Sequence, residues 1–333
     1  MRLVNVLALT NAKLINDPFV SNFTNIVFDA KAVKRGDLFI AFDEETIEDA
    51  ILNGAYGVIF DKPTQISDNE IAWIKVSNIE EALTKLLRFK LIQKEITVYS
   101  CDEVTLRLAQ QITIESKFII LDGDLKSIAE SLWNIDENSI VLFCPTFSDE
   151  TIFTDINPLT QSDVKYIRIV EKTLFETSFV YADKYYERFF IVPLFIENLN
   201  NLITLFKNLK LEFRIKKFSQ LNYFQAVFIN KKFDIKDFGA TDKVLIFEKN
   251  MDLITQEIEY LHKNTTWAKT IYILPSSYKK KQEEDSNVYI YKTQKEIIKI
   301  LKKHSFHFAL IAGKDKSILK TPIVTQTQLT LDF

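Results

Sequence analysis

The chain has 333 residues, with 42 basic and 45 acidic side chains and a net charge of −3. This length suggests two or three domains, and the nearly balanced charge gives no electrostatic indication of nucleic-acid binding. The sequence has no run of about 18 apolar residues that could span a membrane. Its opening apolar run is too short for a signal peptide. We therefore expect a soluble cytoplasmic protein that does not bind nucleic acid directly.

Glycine is scarce in this sequence. Only six glycines are present, and no two of them lie in G-x-G spacing. The pattern G-x-x-x-x-G-K-[ST] is absent as well. Loops that cradle phosphate groups with their backbone need residues that reach positive φ without a Cβ clash. The composition therefore excludes the common dinucleotide-binding and phosphate-loop fingerprints.

Strands and helices are predicted to alternate along the whole chain. Short apolar runs predict strands, which we place at 26–28, 38–41, 58–60, 71–76, 96–99, 118–121, 140–143, 244–247, 270–274 and 308–311. Apolar residues at helical spacing predict helices, which we place at 46–53, 77–89, 104–111, 125–132, 198–208, 252–261 and 293–303. A β-hairpin is predicted over 174–191, and the charged segment 279–285 is expected to be a surface connector. This alternation is typical of parallel α/β domains.

Two helix starts carry a capping-box pattern. Ser77 is followed three residues later by Glu80, and Thr293 is followed by Glu296. In such a pair the hydroxyl and the carboxylate satisfy each other's free backbone N–H groups. We therefore place helix starts at both positions.

The clearest motif lies near the N-terminus. Residues 29–41 read D-A-K-A-V-K-R-G-D-L-F-I-A, and residues 50–55 read A-I-L-N-G-A. In order, spacing and strand–helix placement they resemble D-S-R-x-V-x-x-G-D-L-F-x-A and A-I-x-x-G-A of the Mur ligase N-terminal domain. The resemblance looks closest to the ligases that add the third residue or the terminal dipeptide to a UDP-MurNAc-peptide. It implies that this domain holds the UDP end of the substrate, with Asp29 and Lys31 as candidate binding residues.

The second motif of the family is its ATP-binding loop, T-G-[ST]-x-G-K-[ST]. In this chain residues 99–105 read Y-S-C-D-E-V-T, so that Glu103 stands at the second glycine and Val104 at the lysine. A phosphate loop needs converging amide donors and a cation, whereas an acidic side chain repels the phosphates. We therefore expect no ATP binding in the family's manner and no ATP or Mg²⁺ cofactor. Thr105 remains as a degenerate nucleotide-binding candidate.

Further family fragments persist in order. The segment 196–201, I-E-N-L-N-N, resembles the family's x-H-N-x-x-N, whose residues approach the adenine. This makes Asn198 and Asn201 nucleotide-binding candidates, although we favour the interpretation that they cap the helix that follows. The family's K-G-S-[RK] corresponds to A-G-K-D at 312–315. Each of these segments thus differs from the family motif in residues that carry its chemistry.

No metal site is predicted. His304 and His307 lie three residues apart at a predicted helix end, but nothing in the sequence nominates a third ligand. Asp122 and Asp124 follow a predicted strand and could hold Mg²⁺, yet Asp-Gly is also a common turn. We favour surface and turn roles for these residues.

The C-terminal tail contains a separate motif. Residues 328–333 read Q-L-T-L-D-F and resemble the Q-L-x-L-x-F peptide with which bacterial proteins dock on the DNA sliding clamp. An extended terminus with apolar anchors suits such docking. The candidate partner-binding residues are Gln328, Leu329, Leu331 and Phe333. The alternative is a terminal strand that buries its apolar face.

Together these features predict an α/β protein with a three-domain Mur-ligase-like architecture and a shortened central domain. We place the domains at 1–92, 93–222 and 223–320, followed by a tail at 321–333. The favoured role is a non-catalytic homologue in cytoplasmic peptidoglycan precursor metabolism, which binds a UDP-sugar-peptide or a partner enzyme. The alternatives are an active ATP-dependent amino-acid ligase with an unusual nucleotide site, and an adaptor that docks on the sliding clamp.

Overall fold

The computed structural model describes residues 1–92, 94–145, 152–278 and 287–320. These residues form two compact units. The first unit comprises Met1–Thr160 and Leu205–Arg214, and the second comprises Gln161–Thr204 and the chain from Ile215 onward. Both units combine helices with parallel and antiparallel strands, so the predicted α/β class is confirmed.

The helices and strands follow the chain in alternation. The α-helices are α1 (Leu3–Thr10), α2 (Ile47–Leu52), α3 (Ile79–Ile92), α4 (Glu103–Gln110), α5 (Leu125–Trp133), α6 (Ile196–Asn208), α7 (Ile254–Asn264) and α8 (Gln294–Lys303). The strands up to the end of the hairpin are β1 (Lys13–Leu14), β2 (Ile26–Val27), β3 (Leu38–Ile40), β4 (Gly57–Phe60), β5 (Ala72–Lys75), β6 (Thr97–Ser100), β7 (Ile112–Ile114), β8 (Phe118–Ile120), β9 (Ile140–Phe143), β10 (Asn157–Pro158), β11 (Arg168–Lys172), β12 (Thr177–Tyr181) and β13 (Lys184–Phe189). The remaining strands are β14 (Phe213–Ile215), β15 (Gln225–Ile229), β16 (Lys243–Glu248), β17 (Thr270–Pro275), β18 (Val288–Tyr291) and β19 (Phe308–Ala312).

The two predicted capping boxes had different outcomes. At α8 the box is present, because Thr293 and Glu296 satisfy each other's backbone N–H groups. At α3 the prediction is wrong by one residue, since Asn78 and not Ser77 accepts the N–H of Glu81, at 2.8 Å. Asn is as good an N-cap as Ser, so the sequence pattern alone could not separate the two.

The first unit contains two main sheets. Its N-terminal sheet has the strand order β1-β5-β4-β3-β2, with β1 antiparallel and the other pairs parallel. Its second sheet has the order β10-β6-β9-β8 and is parallel throughout. Strands β7 and β14 form a small two-stranded sheet. One apolar core runs from Leu3 to Phe153 and includes side chains from both main sheets.

The second unit also contains two sheets. Strands β11, β12 and β13 form an antiparallel sheet that includes the predicted hairpin. The larger sheet has the order β15-β16-β19-β17-β18, in which only the β15–β16 pair is antiparallel. Its central strands β16 and β19 are almost entirely buried, as expected of strands covered on both faces.

The predicted domain boundaries and the tail are not tested by the described residues. The three-domain division, with boundaries at 92 and 222, remains a prediction. Within the ranges given above, no helix has both the length and the apolar character needed to cross a membrane. The tail residues Gln328, Leu329, Leu331 and Phe333 and the charged segment 279–285 lie outside the described residues.

Candidate functional site

The turn between β6 and α4 lies where the sequence resembles a phosphate loop. Strand β6 pairs in parallel with β9. The N–H of Cys101 donates to the carbonyl of Phe143 at 2.9 Å, which extends this pairing one residue beyond the strand. Helix α4 then begins at Glu103. The segment is therefore strand, turn and helix, the arrangement in which a helix N-terminus can present amides to an anion.

Asp102 caps this helix with its own side chain. Its Oδ1 accepts the backbone N–H of Thr105 at 2.9 Å, and its Oδ2 accepts the hydroxyl of Thr105 at 2.6 Å. Thr105 is 1% exposed. An Asp at this position satisfies free first-turn N–H groups and places a negative charge at the positive end of the helix. A carboxylate of the chain itself thus lies where an anionic ligand of α4 would lie.

The rest of the segment does not fit a triphosphate. None of residues 97–110, all of which are described, has a positive φ, whereas a backbone anion nest uses a left-handed residue. Val104, at the position of the family's lysine, is buried and supplies no cation. Burial raises the pKa of the Cys101 thiol, and the charges of Asp102 and Cys144 raise it further. These residues therefore do not provide the site that ATP with its Mg²⁺ would need.

The acidic pair after β8 has structural partners. Asp122 forms an ion pair with Arg107 of α4 and accepts a hydrogen bond from Gln110 at 2.9 Å. Partial burial alone would raise the pKa of Asp122, but these hydrogen bonds outweigh it and lower the pKa. Asp124 caps α5 by accepting the N–H of Ser127 at 2.9 Å. In the described part of the chain no group of three or more His, Cys, Asp or Glu residues could hold a metal ion.

A pocket of about 600 Å³ lies inside the first unit, beside the motif at residues 29–41. The residues that line it include Asp29, Lys34, Arg35 and Asp37 from the connection between β2 and β3, together with Glu130 and Trp133 of α5 and its C-cap Asn134. Asp29 also accepts the N–H of Lys31 at 3.1 Å and so begins the 3₁₀ turn Ala30–Ala32. Lys31 itself is not among the lining residues. Of the two predicted substrate-binding residues, the structure therefore brings only Asp29 to the pocket.

The aromatic wall of the pocket is built around Trp133. Its indole N–H donates to Oδ1 of Asn25 at 2.9 Å. The ring of Phe28 meets it edge-on with the centroids 6.0 Å apart. The ammonium of Lys90 lies 4.7 Å from its ring centroid, a distance at which a cation is attracted to an indole. These contacts fix Trp133 in one orientation at the edge of the pocket.

The cationic wall of the pocket depends on a glycine. Gly54 has φ +101°, and a Cβ at this position would lie 3.1 Å from the Cα of Arg35. The backbone of Arg35 can pass this close only because residue 54 has no side chain. The guanidinium of Arg35 then donates to the hydroxyl of Tyr56 at 3.1 Å, while Lys34 donates its backbone N–H to Asp37 at 2.9 Å. The guanidinium of Arg35 is thereby held beside Tyr56, and the backbone of Lys34 is held by Asp37.

The sequence comparison gives one partial relative. No protein-family profile matches the chain. The chain is 40% identical over 74 residues to the UDP-N-acetylmuramoyl-tripeptide--D-alanyl-D-alanine ligase of Rickettsia prowazekii (strain Madrid E). The match spans 21% of this chain and 16% of that relative.

The structural comparison covers almost the whole chain. A solved UDP-N-acetylmuramoylalanyl-D-glutamyl-2,6-diaminopimelate--D-alanyl-D-alanyl ligase from Acinetobacter baumannii is similar with a TM-score of 0.50 and 11% identity, over 96% of each chain. A crystal structure of MurF from the same organism is similar with a TM-score of 0.51 and 10% identity, over 93% of this chain and 95% of that one. The chain has the Mur ligase fold. The resemblance inferred from residues 29–55 is therefore confirmed, and it extends over both units.

Within the Mur ligase fold, the asparagines of α6 hold a neighbouring loop. Asn201 accepts the N–H of Ser162 at 3.0 Å through its side-chain oxygen. Asn200, which is 2% exposed, accepts the N–H of Tyr166 at 2.9 Å. Asn198 lies half-buried in the first turn of the helix. Asn201 is thus not a helix cap, and its side-chain oxygen anchors backbone.

The three predicted nucleotide-binding residues belong to different units. Thr105 lies in the first unit, whereas Asn198 and Asn201 lie in the second. In the segment 312–315, which corresponds to the family's K-G-S-[RK] motif, Asp315 pairs with Lys249 at 3.2 Å. Hydrogen bonds from Ser317 and Lys249 lower the pKa of Asp315 to about 2. In two of the segments that correspond to family motifs, a carboxylate is therefore already bonded within the chain: Asp102 to Thr105, and Asp315 to Lys249.

The two histidines near the end of α8 form separate contacts. Nδ1 of His304 lies 3.1 Å from the hydroxyl of Tyr289. Nδ1 of His307 accepts the backbone N–H of Lys269 at 3.0 Å. The structure places them in different hydrogen bonds and does not bring them together around a common point.

Sequence reasoning missed most of the pocket lining. Lys34 and Arg35 lie inside the quoted motif, so their adjacent charges could have marked them as anion-binding candidates. Trp133 gave no such signal, because it lies about 100 residues further along the chain and reaches the pocket only through the packing of α5.

Proposed function

We propose that this protein is a non-catalytic relative of the Mur ligases that acts in cytoplasmic peptidoglycan precursor metabolism. It binds a UDP-linked muramyl peptide, or the partner enzyme that carries one, and does not turn over ATP. The observation that carries this proposal is the cap at α4, where the carboxylate of Asp102 takes the N–H and the hydroxyl of Thr105.

The cap argues against ATP on electrostatic grounds. A phosphate approaching this helix would meet the carboxylate of Asp102 instead of free N–H donors. Glu103 adds a second acid in the first turn, and no lysine stands at the position of Val104. Repulsion between like charges at a few ångströms costs kcal/mol in a partly desolvated site. The catalytic step of the relatives needs the opposite arrangement.

The pocket in the first unit supports the binding half of the proposal. Its volume of about 600 Å³ is in the range of small-molecule sites. Lys34 and Arg35 on one side suit a diphosphate, which Arg in particular binds in a bidentate manner. Trp133 on the other side is 3% exposed and closes the pocket as a buried apolar wall. The relative from Rickettsia prowazekii is named for a UDP-N-acetylmuramoyl-tripeptide, whose UDP group carries a diphosphate.

Calorimetric titration of the full chain tests both halves. With Mg-ATP we expect no measurable heat of binding, and with UDP-MurNAc-tripeptide we expect saturable binding. Micromolar affinity for Mg-ATP would overturn the non-catalytic assignment and favour the amide-ligase alternative. Absence of heat with the muramyl peptide would remove the substrate-binding role and leave the partner-enzyme role.

A second candidate function rests on the tail. The sequence of residues 328–333 resembles a sliding-clamp docking peptide. An adaptor role would require only this short segment, because such peptides bind through a few apolar anchors. It is compatible with a chain that binds a precursor through its folded units.

A further inference from the structure

Two glutamates are completely buried in the second unit. Glu248 ends strand β16, and Glu257 lies in helix α7. Both are 0% exposed. Glutamates are almost never fully buried unless they are paired, and removing a carboxylate from water without compensation costs several kcal/mol. This pair therefore needs a physical explanation.

Glu248 is well satisfied as an acceptor. Its Oε2 accepts the N–H of Phe224 at 2.9 Å, and its Oε1 accepts the N–H of Asn250 at 2.6 Å. Its backbone carbonyl accepts the N–H of Gly313 at 2.7 Å. Phe224 has φ +46°, a left-handed conformation that a large side chain rarely adopts. One buried residue thus joins three loops, which we call the loop cluster: 222–225, 249–250 and 313–317.

Glu257 presents the opposite situation. Counted as a carboxylate, neither of its oxygens has a hydrogen-bond partner among the described residues. The group that acts on it electrostatically is Glu248. Two carboxylates offer only acceptors to each other, so they cannot bond while both are ionised. A proton on Glu257 turns one of its oxygens into a donor toward Glu248.

No cation in the described ranges relieves the pair. No ion pair joins Glu248 or Glu257 to a Lys, Arg or His residue. Lys249, next in sequence, pairs with Asp315. On α7 the phenol of Tyr260 donates to the carbonyl of Leu174 at 3.1 Å. The second charge must therefore be removed by protonation.

We propose that Glu248 and Glu257 share one proton, and that this shared proton is a pH-sensitive lock on the loop cluster. With the proton present, Glu257 donates to Glu248, and Glu248 keeps its bonds to Phe224 and Asn250. When the proton leaves, two buried negative charges face each other, and their repulsion acts on the carboxylate that holds the backbone N–H groups of Phe224 and Asn250. The loop cluster contributes lining residues to a pocket of about 310 Å³, which also includes Phe247, so the lock controls the shape of this pocket.

The sign of the pH dependence follows from the pKa directions. Burial, and for Glu257 also the charge of Glu248, raises the pKa of both groups above the ordinary value of 4.5. The folded state then holds a proton that the unfolded state releases. The pair's stabilising contribution is full below pH 4.5 and is lost as the pH rises toward the folded pKa. Above the folded pKa, the contribution of this pair to the free energy of unfolding no longer changes with pH.

The test compares two variants of the same helix. Glu257→Gln keeps a hydrogen-bond donor toward Glu248 but cannot ionise, whereas Glu259→Gln changes an exposed glutamate two residues away. Urea unfolding of the full chain is measured across pH 4.5 to 9. The unfolding constant of the wild type relative to Glu257→Gln is expected to rise by up to about tenfold per pH unit, the slope for one proton. Glu259→Gln is expected to follow the wild type.

An equal pH dependence of Glu257→Gln and the wild type would overturn the proposal. A second measurement does not depend on the variant folding. Infrared spectra of the wild type at neutral pH are expected to contain the C=O band of a protonated carboxyl group, separate from the carboxylate bands. Absence of this band would equally refute the shared proton.

Discussion

At the scale of single residues, two aspartates do the same structural work at two helix starts. Asp102 binds the N–H and hydroxyl of Thr105, and Asp124 binds the N–H and hydroxyl of Ser127. Both follow a parallel strand, and both use the spacing of three residues at which a capping side chain reaches the third helical N–H. The segment that resembles a phosphate loop therefore begins its helix with the same kind of aspartate cap as α5.

Replacing these caps gives a matched comparison. Asp102→Ala is expected to lower the free energy of unfolding by about 1 kcal/mol, the usual loss of an Asp N-cap. Asp124→Ala is expected to lower it by a similar amount, because its bonds have the same lengths within 0.1 Å. Urea unfolding at pH 7 measures both. An increase in stability in Asp102→Ala would contradict this view, since it would mean that the carboxylate is held unfavourably and that an anion belongs at α4.

At the scale of elements, most central strands and helices were predictable. The prediction of β9 over 140–143 agrees with the structure to the residue, because a run of four apolar residues in a buried parallel strand leaves little choice. Helix α1 and strand β15 were not predicted. In α1 apolar residues occupy most positions, so a period of 3.6 does not stand out. Strand β15 contains a run of four apolar residues like that of β9, so its pattern was present in the sequence and was missed.

The candidate site was less predictable than the fold. Asp29 could be named because it belongs to a local motif. The pocket around it also needs Trp133, which α5 brings from a distant part of the chain. The buried pair Glu248 and Glu257 gave no signal either, because a glutamate at either position is compatible with an exposed site in the sequence. Local patterns identify elements, whereas sites depend on which elements pack together.

A prediction at this scale concerns ligand binding in the pocket beside the 3₁₀ turn. Arg35→Ala is expected to reduce the thermal stabilisation given by UDP-MurNAc-tripeptide at least severalfold, because a bidentate guanidinium contact to a diphosphate is lost. Lys31→Ala is the control, since Lys31 lies in the same connection between β2 and β3 but does not line the pocket. Melting curves with and without ligand measure the effect. Equal losses in both variants would indicate a general effect of charge and not a contact in this pocket.

At the scale of the whole molecule, the chain keeps the Mur ligase fold over both units. The fold by itself does not specify an activity, because function depends on the residues of the site. Here the residues of the family's ATP loop are absent, whereas a charged pocket is present beside the motif of the N-terminal domain. The proposal of a binding protein rests on this difference.

The tail gives the prediction that belongs to this scale. A chain ending at Thr327 lacks Gln328, Leu329, Leu331 and Phe333 but keeps every residue described here. If the tail docks on the sliding clamp, full-length protein is expected to be retained on immobilised clamp and the shortened chain is expected to be lost. Both proteins should melt at the same temperature. Equal retention of the two would eliminate the adaptor role.

The apolar core of the first unit affects how the protein can be dissected. Phe28 and Lys90 come from the N-terminal stretch, yet both pack on Trp133, and Leu3 belongs to the same cluster as Phe153. A fragment cut after residue 92 would leave that inner surface bare to water, and its excised strands would be prone to stick to one another. A fragment made for binding experiments should therefore include the second sheet of this unit, β10-β6-β9-β8.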